Sequence, residues 1–167
     1  LAQMAAESPE KNFIGIEVHR PGVGKLLHTI HQQGITNLRI YCHDAVEILR
    51  DCIADQSIDT VQIFFPDPWH KKKHHKRRLI QPGFLQRLKQ KIKPGGNIHL
   101  ATDWENYAEH MLEVLDADAE LSNSAGEAVW ASNTGRPETK FERRGHRLGH
   151  GVWDLVYTFT PQQPPLA

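Results

Sequence analysis

Short apolar runs alternate with amphipathic stretches along the chain. Phe13–Val18 (FIGIEV), Leu38–Cys42 (LRIYC), Ile58–Phe65 (IDTVQIFF), Asn97–Ala101 and Val152–Phe159 (VWDLVYTF) have the length and the aliphatic and aromatic content of strands. Pro21–Gln33 reads as a helix, with proline near its start and Gly34 just past its end. Asp44 is placed to cap a helix over Ala45–Ile53 with its carboxylate. Further helices are expected over about Pro82–Lys93 and Trp104–Leu115, with Pro94-Gly95-Gly96 as a turn before the fourth strand. Residues 66–78 and 122–137 read as loops, the latter rich in Ser, Asn, Gly and Ala.

Strands alternating with helices predict an α/β fold, a doubly wound, mostly parallel sheet. In such sheets ligands bind outside the carboxyl ends of the strands. An acidic residue stands at or just beyond the end of each of the first four strand-like runs: Glu17, Asp44, Asp67 and Asp103. Each alone fits a helix cap or a turn; the four together favour a site.

The length of 167 residues fits one compact domain, expected over residues 1–160, with a Pro- and Gln-rich, frayed tail at 161–167. Twenty Lys and Arg balance 20 Asp and Glu, but a zero total does not exclude a nucleic-acid partner when the charge is unevenly distributed. Cys42 and Cys52 lack metal-motif spacing and read as reduced core thiols of a cytoplasmic protein. No apolar run approaches the ~20 residues of a membrane span. Neither a membrane nor a metal is expected as a partner, and the chain is expected as a monomer or homodimer.

Phe64-Phe65-Pro66-Asp67-Pro68-Trp69-His70 is the most specific segment. Its two prolines stiffen the backbone around Asp67. A fixed carboxylate beside an aromatic suits a planar base: Asp67 can accept from the amide and amine edge of guanine, and Trp69 offers a stacking face. Lys71-Lys72-Lys73-His74-His75-Lys76-Arg77-Arg78 follows, six cations in eight positions, for which phosphate attraction is the simplest reason. With its like charges and no apolar anchor from Lys71 to Lys76, this loop is expected to be mobile without RNA. Glu17 suits ribose hydroxyls, and Asp44 an adenine amine. Residues 139–147 mix polar and basic groups without periodicity and read as a functional loop.

GIEVHRPGVG (15–24), HDA (43–45), FFPDPWHKKKHHKRR (64–78), ATDWENYAEHM (101–111) and TKFERRGHRLGHGVWDL (139–155) resemble the bacterial tRNA (guanine-N7) methyltransferase family, in register from about residue 1 to 158. The resemblance implies a class I S-adenosylmethionine-dependent methyltransferase that modifies N7 of guanine in tRNA, at guanosine 46 of the variable loop. It implies that Glu17, Asp44 and Asp67 contact S-adenosylmethionine and that Asp67 is the catalytic acidic residue. Lys71, Asp103, Thr139 and Glu142 match substrate-binding positions. Lys73, His74, His75, Lys76, Arg77 and Arg78 match the RNA-contacting stretch. Relative to the family, the first strand and its Gly-rich cofactor turn are expected to be absent from this chain. The rival readings are a non-catalytic RNA-binding protein that has lost the cofactor turn, and a methyltransferase acting on another base.

Overall fold

The computed structural model describes residues 1–149 and 151–163, so the last four tail residues lie outside the described residues. The chain divides into two compact units, one from Leu1 to Ile53 and one from Ala54 onward. Its strands form a two-stranded and a four-stranded sheet.

In the first unit, α1 (Ala2–Glu7) precedes β1 (Phe13–Ile16), α2 (Arg20–Gln33), β2 (Leu38–Tyr41) and α3 (Ala45–Asp51). β1 and β2 pair in parallel, from Phe13 opposite Leu38 to Ile16 opposite Tyr41. A parallel pair needs a crossover, and α2 supplies it. Pro21 sits in the first turn of α2, and Gly34 closes it in the left-handed conformation at φ 62°. At Gly15 the chain packs closely: a Cβ there would lie 2.5 Å from Leu1 Cδ2 and 2.9 Å from Ile40 Cδ1, and both side-chain ends would have to shift. The Asn37 amide donates to the carbonyls of Ala5, Ser8 and Lys11, which pins the turn between α1 and β1.

The second unit runs β3 (Ile58–Phe64), a 3₁₀ turn (Lys72–Arg77), α4 (Pro82–Lys91), β4 (Ile92–Thr102), α5 (Glu105–Asp116), β5 (Leu121–Asn123), α6 (Lys140–Arg147) and β6 (Trp153–Phe159). The strand order is β3-β4-β6-β5. β3 and β4 are parallel; β6 runs antiparallel to both β4 and β5. The carboxyl half of β4 is buried without interruption, as a strand covered on both faces must be. β6 alternates instead, burying Leu155, Tyr157 and Phe159. Ile80, Leu85, Leu88, Ile98, Leu100, Met111 and Leu115, each at most 1% exposed, fill the core, and burial of such side chains contributes roughly 1.5–3 kcal/mol apiece.

The α/β alternation and the parallel pairs agree with the expected class. Four local readings are corrected. Pro94-Gly95-Gly96 does not end an element but forms a bulge within β4: Ile58 faces Ile92, whereas Thr60 already faces Asn97. Gly95 has φ 82°, and a Cβ on Gly96 would meet the Asp59 carbonyl at 2.7 Å. The supposed loop at 122–137 begins as the short edge strand β5, whose pairing with β6 supplies what its Ser and Asn do not favour locally. Residues 140–147, read as a loop, form α6. The two cysteines are likewise not core thiols: both are free and exposed. No helix among the described residues is long and apolar enough to cross a membrane.

Candidate functional site

At the carboxyl end of the first unit's sheet stand two carboxylates. Glu17 directly follows β1, and its backbone N–H still donates to the Tyr41 carbonyl at 3.0 Å. Its Oε1 accepts from the amides of Val18 and His19 at 2.8 and 2.9 Å, folding the side chain over the turn into α2. Asp44 caps α3 as expected: Oδ1 accepts from Val46 and Glu47 amides at 2.9 and 3.2 Å. Both residues are exposed. Among the described residues neither Glu17 Oε2 nor Asp44 Oδ2 makes a hydrogen bond, so each carboxylate keeps an acceptor open to a ligand's hydroxyl or amine.

The second unit repeats the arrangement. Phe64 faces Ala101 where β3 and β4 end, and the Phe65 amide donates to the Ala101 carbonyl at 2.8 Å. Asp67 lies three residues beyond β3 and Asp103 directly beyond β4, both exposed. The backbone around Asp67 is unusual. Phe65 and Trp69 take φ of 53° and 46°, conformations that cost non-glycine residues free energy and that cluster at ligand sites. Asp67 Oδ1 accepts from the Trp69 amide at 2.9 Å, closing a turn that holds one carboxylate oxygen and leaves the other exposed. On the β4 side the buried Thr102 hydroxyl accepts from the Trp104 amide at 3.2 Å. Trp104, 40% exposed, meets the His70 ring edge-on at 4.2 Å between centroids.

The basic run is a 3₁₀ turn packed on this loop. Lys71, Lys72, Lys73, Lys76 and Arg77 are exposed, while His74 and His75 are half-buried. The Arg77 guanidinium lies 5.1 Å from the Trp69 ring centre, and the His74 ring 6.0 Å from it. Arg78 departs from the rest. It is 3% exposed, donates to the Pro68 carbonyl at 2.7 Å and to Asn106 Oδ1 at 2.8 Å, and covers the Tyr107 ring at 4.7 Å. Burial pulls its guanidinium pKa below the ordinary value. Arg78 therefore anchors the carboxyl end of the segment.

Thr139 and Glu142 form a capping box at the start of α6: the Thr139 hydroxyl accepts from the Glu142 amide, and the Glu142 carboxylate accepts from the Thr139 amide. Arg136 clamps the same carboxylate, donating to Glu142 Oε2 and Oε1 at 2.5 and 2.6 Å. Its other edge donates to both oxygens of Asp154 at 2.9 Å, and the His99 ring shares Asp154 Oδ1 at 2.7 Å. The guanidinium also lies 5.3 and 5.6 Å from the rings of Phe64 and Phe65. Hydrogen bonds from Arg136 hold the Glu142 carboxyl below the usual carboxylate range. Burial pushes Asp154 up, but the hydrogen bonds from His99 and Arg136 outweigh it and hold that carboxyl low as well.

Of the residues singled out in the sequence, Asp67, Lys71 and Trp69 share one loop, Asp103 follows the neighbouring strand, and Glu17 and Asp44 share the end of the other sheet. Arg136, Asp154, His99, Asn106 and Trp104 went unrecognised. The Thr139-x-x-Glu142 spacing signalled the capping box, but Arg136 and Asp154 meet only through folding.

The fold is shared with methyltransferases of known structure. The 16S rRNA methyltransferase KamB superposes with a TM-score of 0.67 at 14% identity, over 96% of this chain and 82% of that one. The fold is that of the class I methyltransferases. A family model described as "Putative methyltransferase" matches residues 1–155. The tRNA (guanine-N(7)-)-methyltransferases of Alcanivorax borkumensis and Aeromonas hydrophila are 65% and 58% identical over 94% of this chain. The chain belongs to the tRNA (guanine-N(7)-)-methyltransferase family. It spans about two thirds of the length of these relatives, 66% and 67%.

Proposed function

We propose that the protein carrying this chain transfers a methyl group from S-adenosylmethionine to N7 of a guanine in tRNA, and that the guanine is guanosine 46 of the variable loop. The observation that carries this reading is the pair of open carboxylates at the carboxyl end of each parallel strand pair, in a chain of this family. In this reading residues 1–160 serve as the methyltransferase domain. When bound, the cofactor supplies an electrophilic methyl group. Glu17 accepts from its ribose hydroxyls, and Asp44 accepts from its adenine amine while still capping α3.

Guanine N7 already bears an in-plane lone pair, so no proton has to be removed before attack. Alignment is the main task, and in favourable cases it supplies about 7–11 kcal/mol. The purine gains positive charge as the methyl arrives, and the free oxygen of Asp67 opposes that charge. Trp69 offers the base a stacking face. Lys71 and Asp103 flank the base as substrate contacts. Lys73, Lys76 and Arg77, with His74 and His75, hold phosphates, and Arg78 positions that turn from within. Thr139 and Glu142 serve the substrate through the placement of α6, since the Glu142 oxygens are already occupied. The test is incubation of the full-length protein with unmodified tRNA and labelled cofactor, followed by mass spectrometry of the nucleosides. Label in 7-methylguanosine at position 46 is expected; label in another base, or none, refutes the reading.

A further inference from the structure

Helix α6 has two faces of opposite character. Glu142, its only acidic residue, points inward at 7% exposure, and Gly145, one turn on, is buried too. Arg143, Arg144 and Arg147 are exposed, and among the described residues none of them makes an ion pair or a side-chain hydrogen bond. At spacings of three and four residues, Arg144 and Arg143 lie beside Arg147 on one strip of the helix, where like charges repel. The acidic residue that could relieve them, Glu138, faces His146 at 3.2 Å. The helix is nonetheless firmly held. Arg136 ties Glu142 to Asp154, Asp154 pairs with Ala101 of β4, and the Arg136 guanidinium lies over Phe64 and Phe65. A rigid cationic strip is thus fixed to the strand ends that carry Asp67 and Asp103.

We propose that Arg143, Arg144 and Arg147 form a second phosphate-binding ridge for the RNA backbone, separate from the run at 71–77. This rests on the reading of the protein as an RNA-modifying enzyme. The argument is charge complementarity: three guanidiniums on an anchored helix, without partners among the described residues, match a polyanion, and planar guanidinium suits phosphate in particular. A chain that presents a base to Asp67 must carry its phosphates past the same strand ends.

The test is tRNA binding by the full-length protein, followed by fluorescence anisotropy across a salt series. The triple variant R143Q/R144Q/R147Q is expected to lower the log–log salt slope by about two to three units and to weaken binding at least tenfold at low salt. The variant R143K/R144K/R147K is expected to keep the wild-type slope, and S-adenosylmethionine binding is expected to stay unchanged in both. Should the triple glutamine variant lose its melting transition, the single substitutions, each removing about one unit of slope, decide the question. A wild-type slope in the glutamine variants, or an equal loss in the lysine variant, overturns the ridge. Wild-type protein that binds tRNA with no salt dependence would instead overturn the RNA reading itself.

Discussion

Asp67 divides its two carboxylate oxygens between the backbone and solvent. One carboxylate oxygen closes a turn with the Trp69 amide at 2.9 Å, and Phe65 and Trp69 accept left-handed backbone on either side of it. Its other oxygen stays exposed. Asp67→Asn keeps the acceptor that closes the turn and removes the charge. The methylation rate of the full-length enzyme is therefore expected to fall on the order of a hundredfold, with tRNA and cofactor affinity nearly intact. Single-turnover kinetics checks this, and a near-wild-type rate would reduce Asp67 to a turn residue. Glu17 is the corresponding residue of the other sheet. Glu17→Ala removes the acceptor for Val18 and His19 as well as the proposed ribose contact, so calorimetry should show S-adenosylmethionine binding weakened by about 1–3 kcal/mol. Unaltered affinity would take Glu17 out of the cofactor site.

Helix α6 was legible only in part. The threonine and glutamate three residues apart announce a helix start, yet the eight residues that follow carry no apolar period, because the helix is held by charge. Its anchor, Arg136, comes from the preceding loop, and the second carboxylate, Asp154, from β6. Arg136→Gln leaves the buried Glu142 and the half-buried Asp154 without their shared cation, a loss expected to cost about 3–5 kcal/mol at neutral pH. The pH dependence follows from the direction of the shifts. Both carboxyls are depressed in the folded wild type, so their contribution is fully present above the ordinary carboxylate range and is lost as pH falls through and below it. In Arg136→Gln the two carboxylates gain from protonation instead. Denaturant titrations at neutral pH and near pH 4.5 should therefore show the gap between variant and wild type narrowing on acidification. A gap that stays constant would mean that the network contributes packing only.

The chain has no net charge, with 20 cationic and 20 acidic side chains, yet its cations are gathered. Lys71, Lys72, Lys73, Lys76 and Arg77 stand exposed on one 3₁₀ turn and its flank, whereas Arg78 is turned inward. Replacement of Lys73, Lys76 and Arg77 by glutamine is expected to reduce the salt slope of tRNA binding by about one unit each. Arg78→Gln should instead lower the melting temperature, because it uncouples Pro68 from Asn106. A slope effect from Arg78→Gln without destabilisation would place its charge on the RNA.

Local chemistry alone accounts for much of this protein. Apolar runs became strands where they were expected, Gly34 ended α2 because its φ of 62° suits glycine, and Asp44 capped α3 because a carboxylate satisfies free amides there. The placement of acidic residues after parallel strands was legible for the same reason: strand ends are local. Tertiary structure decided what depends on partners distant in the chain. β5 exists because β6 offers it a ladder, the Pro94-Gly95-Gly96 bulge because β3 lies alongside, and α6 because Arg136 joins it to Asp154. It also decided which cation of the basic run is spent inside, since a burial site for Arg78 arises only when Pro68, Asn106 and Tyr107 converge. Hydrogen-bond partners many residues apart leave no period in a sequence, so the residues that hold the site were the ones the sequence could not reveal.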